Sequence, residues 1–417
     1  MVEEAKMGPP LRFQGFSDAW EQRKLGDLMT ITSVKRIHQS DWTSSGVRFL
    51  RARDIVSAAK YEEPTDYLYI SKEKYNEYSL ISGKVTIGDL LVTGVGSIGV
   101  PLLITNGEPV YFKDGNVIWF KNNNVIDGNF FYYSFIHHKI QKFIKDVAGI
   151  GTVGTYTIDS GKKTPISLPI KKEQEKIGNL FKQLDDTIAL HQRQSDNYKE
   201  LKKSMLQKMF PQDGEKVPEV RFDGFTEEWE RRSLNSIVKR VTRKNKNLES
   251  NLPLTISAQH GLVDQNTFFN KQVASKDVSG YYLVKKGEFA YNKSYSSGYP
   301  WGAIKRLDNY DMGVLSTLYI VFQPVNIISD FLVAYYDTNL WHKEVSMRAA
   351  EGARNHGLLN ISAQDFFETE LIISANTEEQ ARIGSYFKQL DDTIALHKQK
   401  ITYLQILKNS LLNKMFI

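Results

Sequence analysis

Three patterns in the chain could carry chemistry. The stretch GVGSIG at 94–99 fits GxGxxG. A dinucleotide loop of that form needs a helix to open there, so that its first amides meet a pyrophosphate. Here Val100-Pro101-Leu102 follows, which favours extended backbone, so a tight hairpin turn or a loop facing a ligand is expected instead. Asp185-Asp186 and Asp391-Asp392 are adjacent carboxylates. Neighbours on a helix point about 100° apart and cannot share one substrate, which favours a solvated face or a contact to another protein. His191 and His397 have no carboxylate or cysteine at ligand spacing, so they read as polar seam residues that fix register, and no metal site is expected.

Basic and aromatic residues offer more. Residues 231–246, RRSLNSIVKRVTRKNK, hold seven basic side chains and no acid, including Arg240, Arg243 and Lys244. They read as a solvated loop or as an edge that meets phosphates. The nearest analogue in the first half is Lys35, Arg36, His38, Arg51 and Arg53. Loops that mix Lys, Arg, Asn or Gln with aromatics suit the reading of base edges, because Arg matches guanine and Asn or Gln matches adenine. Two such loops are NKSYSSGYPW (292–301), with Lys293, Tyr295, Tyr299 and Trp301, and ARNHGLLN (353–360), with Arg354, Asn355 and His356. Gln259 and His260 join them. The chain has no GxxxxGK[ST] loop and no Asn-Pro-Pro or Asp-Pro-Pro followed by an aromatic, so neither a P-loop ATPase nor an adenine methyltransferase is expected.

The elements that would position these residues come in duplicate. LRFQGFSDAWEQRKL (11–25) matches VRFDGFTEEWERRSL (220–234), FKQLDDTIALH at 181–191 recurs unchanged at 387–397, and the tails SMLQKMF (204–210) and SLLNKMF (410–416) correspond. The chain is therefore two tandem halves of roughly 206 residues. Their middles diverge, with one echo: Gly88, Gly99 and Pro101 align with Gly287, Gly298 and Pro300. The matched tails carry a heptad seam. Ile177, Phe181, Leu184, Ile188, His191, Ser195, Tyr198, Lys202, Met205 and Met209 are spaced four and three, and Ile383, Phe387, Leu390, Ile394, His397, Ile401, Leu404, Lys408, Leu411 and Met415 repeat the spacing. This predicts two long helices, each about 55 Å at about 1.5 Å per residue, that pair antiparallel as a coiled coil. Each middle reads as a mixed α/β globule, with short β-rich runs (VTIGDLLV, PVYFKDGNVIWF, YLYI, STLYIVF, ELIIS) and helical stretches at 130–148 and 331–347.

Composition sets the bounds. The 417 residues favour more than one domain. No cysteine is present, which excludes disulfides and thiolate metal sites and fits a reducing cytoplasm. No apolar run is long enough to span a membrane, and MVEEAKMGPP does not read as a signal peptide. The net charge of +6 hints at a polyanionic partner.

Taken together, the RFxGF…W openings at 12–20 and 221–229, the FKQLDDTIALH helices, the KMF endings at 208–210 and 414–416, and RNHGLLNIS at 354–362 resemble the specificity subunits of Type I restriction-modification systems. That resemblance implies an α+β fold: two pseudo-repeated mixed α/β target-recognition domains joined by two long antiparallel coiled-coil helices. It implies an N-terminal segment (1–16), a first target-recognition domain (17–170), a central helix (171–210), a linker and repeat start (211–225), a second recognition domain (226–375) and a C-terminal helix (376–417). Each domain would read one half of a split double-stranded DNA site, with Lys35, Arg36, Arg51 and Arg53 in the first and Arg240, Arg243, Lys244, Gln259, Lys293, Tyr295, Tyr299, Arg354 and Asn355 in the second. The helices, through Phe181, Leu184, Ile188, His191, Phe387, Leu390, Ile394 and His397, would set the spacing and dock two methyltransferase subunits. Restriction subunits would join them. S-adenosylmethionine, ATP and Mg would sit on those partners, with none on this non-catalytic, cytoplasmic chain. A stand-alone bipartite DNA-binding regulator or architectural protein, or a scaffold that binds no nucleic acid, remain alternatives.

Overall fold

The computed structural model describes residues 8–60, 62, 64, 66–149, 154–212, 214–257, 260–271, 273–294, 298–349 and 359–417. The chain divides into two compact units, Met1–Gln192 with Gln399–Ile417, and Arg193–Lys398.

In chain order the first unit runs β1 (Glu21–Lys24), α1 (Leu25–Leu28), β2 (Thr30–Thr32), β3 (Trp42–Thr43), β4 (Val47–Leu50), α2 (Ala52–Ala59), β5 (Leu68–Ile70), α3 (Lys72–Ser82), β6 (Leu90–Thr93), β7 (Pro101–Leu103), β8 (Val110–Phe112), β9 (Val117–Lys121), α4 (Gly128–Ile136), α5 (His138–Ala148), α6 (Ile158–Lys163), β10 (Pro165–Leu168) and the start of α7 (Lys171–Lys208). The second continues with β11 (Glu230–Ser233), α8 (Leu234–Ile237), β12 (Val238–Arg240), β13 (Leu254–Ser257), β14 (Gly261–Asp264), α9 (Gln265–Phe269), β15 (Tyr282–Lys285), β16 (Phe289–Asn292), β17 (Ala303–Arg306), β18 (Met312–Leu315), β19 (Ile320–Pro324), α10 (Ser329–Tyr336), α11 (Leu340–Arg348), α12 (Ala363–Phe367), β20 (Glu370–Ile373) and α13 (Thr377–Met415).

The echo between the middles is a shared sheet. In the first unit the strand order is β2-β9-β6-β7, and in the second β12-β19-β16-β17, with all pairs antiparallel. The inner strands β6 (LLVT) and β19 (IVFQP) are apolar runs, as strands covered on both faces must be. Gly88 and Gly287 enter this sheet with φ of 90° and 86°, and Gly99 and Gly298 turn within the β6–β7 and β16–β17 connections at 76° and 80°. These left-handed values explain why glycine recurs there. A second shared feature is the two-stranded pair that closes each unit, β1-β10 and β11-β20. Beyond these strands the units part. The first has a four-stranded sheet, β3-β5-β4-β8, which includes a parallel β4–β8 pair. The second has two antiparallel pairs, β13-β14 and β15-β18, linked by an isolated parallel bridge between Pro253 and Val314.

The two helical stretches expected at 130–148 and 331–347 are each broken once, at His137 and at Asp337–Asn339. His137 adopts an extended backbone while its N–H still bonds to Tyr133 and Ser134. The turn lets α5 bury Ile140 and Ile144 in the core that Phe130, Phe131 and Phe135 already line.

Both long helices form, with 38 residues in α7 and 39 in α13. Within the first unit their partners run in opposite directions: Ile188 clusters with Ile401 and Leu404, Asp185 pairs with Lys408 at 2.6 Å, and Phe181 lies 5.6 Å from Phe416 between ring centroids. Within the second unit the same holds: Tyr198 stacks on His397 at 5.7 Å, Lys202 pairs with Asp391 at 2.7 Å, and Phe210 lies 6.0 Å from Phe387. The antiparallel pairing expected from the heptad seam is therefore present in each unit. A helical glycine sets how close the globule comes. A Cβ at Gly178 would meet the Asp127 carboxylate at 2.5 Å and the Phe130 amide at 2.7 Å, and one at Gly384 would meet the Phe331 amide at 2.6 Å. The usual helix penalty of glycine, about 1 kcal/mol, is accepted at both sites because a side chain would push α4 or α10 away.

Each long helix ends in the other half's core. Phe416, the last aromatic of the second half, packs among Trp20, Phe130 and Phe181 of the first unit, with ring centroids at 6.3, 5.3 and 5.6 Å. Phe210, the last aromatic of the first half, packs among Trp229, Phe331 and Phe387 at 5.8, 5.5 and 6.0 Å. Backbone bonds repeat the pattern: Leu11 N donates to Lys414 O, and Val220 N donates to Lys208 O, both at 2.9 Å. Arg12 forks onto buried Glu173 at the start of α7, and Arg221 onto buried Glu379 at the start of α13. These bidentate pairs explain why the RF openings recur in the sequence. Among the described residues no helix is long and apolar enough to cross a membrane.

Candidate nucleic-acid interface

The patterns that suggested catalysis prove to be framework. GVGSIG forms the turn between β6 and β7, closed by Gly99 N to Thr93 O at 2.8 Å and Thr93 N to Val100 O at 3.0 Å, and no helix opens from it. Asp185 accepts from the Tyr133 hydroxyl at 2.7 Å as well as pairing with Lys408. Asp391 holds Lys202, while Asp186 and Asp392 each take a lysine one turn back on their own helix, at 2.5 Å. His191 and His397 are half-buried, and no cluster of three or more metal-ligating side chains occurs among the described residues.

In the first unit, Lys35 is exposed, and its Nζ stands 4.1 Å from the centre of the Tyr78 ring on α3. Its amide donates to Ser82 Oγ at 2.8 Å, and its carbonyl accepts from Tyr111 at 2.7 Å, so the segment is tied to the end of α3. Arg36 is exposed and pairs with Asp114 at 2.9 Å. Arg51 is largely buried, forks onto Asp54 and reaches Asp66, and Arg53 shares Asp66 at 2.6 Å. Hydrogen bonding to Asp54 is the main reason the Arg51 guanidinium holds its proton more tightly than usual. Arg51 is thus committed within the fold, whereas Lys35 is free to meet a phosphate.

In the second unit, the 231–246 stretch is not a loop but β11, α8 and β12 with the turn that follows. Its cations are partly answered: Arg231 by Glu370 at 3.2 Å, Arg232 by Glu230 at 2.9 Å, and Arg243 by buried Glu288 at 2.9 Å. Arg240 is exposed on β12. Lys244 donates to Gly280 O at 2.9 Å and lies 4.0 Å from the Tyr282 ring. Lys293 is half-buried and donates to Ile361 O at 3.2 Å, and burial lowers its pKa. Tyr299 lines an open cleft of about 880 Å³ with His260, Lys305, Arg306 and the helix residues Lys199, Lys203 and Lys398. Gln259, Tyr295, Arg354, Asn355 and His356 lie outside the described residues.

The seam residues expected to dock partners are mostly interior. Phe181, Ile188, Phe387, Leu390 and Ile394 are buried, and Leu184 is half-buried. The exposed apolar side chains of the same helices are Leu190, Leu201, Leu396, Tyr403 and Ile406. Leu190 and Leu396 occupy the same place in the repeated FKQLDDTIALH, one residue before the seam histidine. That offset from the heptad was the signal available in the sequence.

Two residue sets escaped the sequence reading. One is a buried charge node: Lys202 on α7 holds both Asp337, at the end of α10, and Asp391, while Lys305 on β17 also reaches Asp337 at 2.7 Å. Burial opposes the charges, but the opposite partners outweigh it, raising the Lys202 pKa and lowering that of Asp337. The other is the exposed end of α3, with Leu80 and Ile81.

A duplicated α/β protein with long helices shared between two units, and with cationic and aromatic side chains on the unlike parts, is the class this geometry defines. Residues 17–199 match the model of the Type I restriction modification DNA specificity domain. Among solved structures the chain is similar to the Type-I restriction-modification system S subunit from M. genitalium, with a TM-score of 0.63 and 16% identity over 99% of both chains. A weaker likeness, TM-score 0.43 and 15% identity over 95% of this chain and 96% of that one, is to the HsdS subunit from Thermoanaerobacter tengcongensis. Comparison with curated protein sequences gives no match. The chain thus matches the Type I restriction modification DNA specificity model over residues 17–199, and over nearly its whole length it shares the fold of the M. genitalium S subunit.

Proposed function

We propose that this chain is the DNA-reading subunit of a Type I restriction-modification enzyme, itself non-catalytic, that recognises a bipartite asymmetric double-stranded site. Each unit reads one half of the site, and the paired helices set the distance between them, about one helical turn of DNA or roughly 34–36 Å. The observation that carries this reading is the duplicated frame with unlike outer strands. One frame used twice presents two different surfaces, which is what two different half-sites require. Cationic contacts to phosphate supply salt-dependent affinity, and contacts to base edges supply discrimination.

Two methyltransferase subunits dock on the long helices, through the exposed Leu190, Leu201, Leu396, Tyr403 and Ile406. Restriction subunits join that assembly. S-adenosylmethionine, ATP and Mg belong to those partners, and the complex works in the cytoplasm.

The deciding experiment replaces residues 226–375 with the corresponding domain of another family member and maps methylated adenines in a host carrying the neighbouring genes. One half of the methylated sequence should change. A change in both halves would refute independent reading. Failure to co-purify with any methyltransferase would favour a stand-alone regulator.

A further inference from the structure

Leu80 is the most exposed large apolar side chain among the described residues, at 89%, and its neighbour Ile81 is 66% exposed. Both lie on the last turn of α3, whose other face buries Tyr75 and Ser79. Burial of Leu80 or Ile81 is worth about 1.5–3 kcal/mol each, so presenting both to water costs stability that the unit does not need to forgo. Ile87, four residues past Gly83, is 59% exposed. It lines an open cleft of about 910 Å³ with Lys72, Tyr75, Asn76, Lys84, Asn123 and Asn124.

The surroundings of the pair are basic. Lys35 is anchored to the same helix end through Ser82, and Lys84 follows it directly, its Nζ 5.7 Å from the Tyr75 ring centre. Lys121 donates to Ser82 O at 2.7 Å and caps the helix. Four carboxylates of this region are already engaged: Glu77 and Asp41 by Lys74, Asp114 by Arg36, and Asp89 by the Trp119 indole and the Asn122 amide. Among the described residues Lys35 and Lys84 have no ion pair. An aliphatic tip flanked by such ammonium groups complements a major groove, where thymine methyl groups lie between two lines of phosphate.

We propose that Leu80 and Ile81 enter a groove of the duplex and make the apolar base contacts of the first half-site, while Lys35 and Lys84 hold the flanking phosphates. The proposal rests on the reading of the chain as a DNA-specificity subunit and names the residues by which its first unit discriminates. Leu80 and Ile81 contribute discrimination, because they fit some base edges and not others. Lys35 and Lys84 contribute affinity without sequence preference.

The test uses the full chain, purified with the products of its neighbouring genes, and a randomised duplex library from which bound sequences are selected. The double variant L80S/I81S should lose preference in one half of the selected sequence, with about tenfold weaker binding to the wild-type site. The other half should be unchanged. K35Q/K84Q should keep both halves of the preference, while the slope of log affinity against log salt should fall by about 0.9 for each phosphate that is no longer neutralised. All four side chains are exposed, so thermal unfolding should be unaltered in both variants. Unchanged selection and affinity for L80S/I81S would overturn the proposal. So would loss of the co-purifying methyltransferase with sequence preference intact, since the patch would then be a protein dock. A wild-type chain that selects no sequence at all would instead sink the underlying reading.

Discussion

Phe416 and Phe210 occupy equivalent seats in the two units, each ringed by a tryptophan, a phenylalanine from the globule and a phenylalanine from the partner helix. Asp185–Lys408 and Asp391–Lys202 are likewise the same ion pair made twice. The strands farther from these seats differ in pairing, and the apolar side chains exposed there differ too: Leu80 and Ile81 in the first unit, Phe268 and Phe269 in the second. The contrast teaches where each kind of constraint acts. Residues that hold the helices must satisfy the same close packing in both halves, because an interior tolerates little change of volume. Exposed residues are free of that constraint and can differ between the halves.

The sharpest way to break this comparison is to empty one seat. Phe416→Ala should destabilise the first unit by about 3–5 kcal/mol, and Phe210→Ala the second by a similar amount. Hydrogen exchange read unit by unit would show amides around Trp20 and Phe130 opening in one variant, and those around Trp229 and Phe331 in the other. Equal opening of both units in either variant would mean that the seats are not separate.

Acid should also divide the units. His137 is buried against Phe416, with ring centroids 5.7 Å apart, and its Nε2 has no hydrogen-bond partner. Burial, followed by the charges of His138 and Lys139, pulls its pKa down to about 4. The folded first unit therefore favours the neutral ring. That contribution is complete above the unfolded pKa near 6.5 and is lost as pH falls from there towards 4, about 3 kcal/mol in all. In the second unit the corresponding position is Thr338, and the depressed group there is Asp337, whose stabilisation fades only below the ordinary aspartate range. Unfolding followed at pH 7 and pH 5 should thus weaken the first unit more than the second, and H137F should remove the difference. A pH response shared equally by the two units would count against this account.

The ion pairs provide a finer test. Lys202 answers two carboxylates, whereas Lys408 answers one that a tyrosine hydroxyl also supports. Lys202→Met should cost about 3 kcal/mol, because it leaves Asp391 unanswered and the buried Asp337 with Lys305 alone. Lys408→Met should cost less. Denaturant titration of the two variants gives the order directly, and the reverse order would show that the node at Asp337 is not what holds α10 to α7.

The smallest effect is expected from reconnecting the chain. Leu11 meets Lys414 as Val220 meets Lys208, so the segments that residues 211–218 join in the second unit lie side by side in the first as well. A permutant that joins the C-terminal end to residue 8 through a copy of PQDGEKVP, and opens the original linker, should change stability by no more than about 1 kcal/mol. A permutant that fails to fold would show that the two linker positions are not equivalent.

Much of this was legible in the residues alone. The repeat, the two long helices, the antiparallel pairing in each unit and the hairpin at Gly94–Gly99 follow from spacing and from local backbone preference, which act over a few residues at a time. The resemblance to the specificity family rested on the same repeated motifs. Other features were not legible. Chain order suggests that each tail serves the half that precedes it, yet Phe416 completes the unit of Trp20. Arg51 reads as a candidate for DNA but is bound to Asp54 and Asp66, and nothing in the pattern marked Leu80 and Ile81 as exposed. Pattern in the sequence determined which segments are helices and strands and that two similar units exist, because those outcomes depend on neighbours in the chain. Only the tertiary structure decided which charges are answered, which apolar side chains remain outside and which tail fills which core. Those outcomes depend on side-chain geometry and on groups brought together by the fold, as Lys408 meets Asp185 across 223 residues, and backbone preference does not encode them.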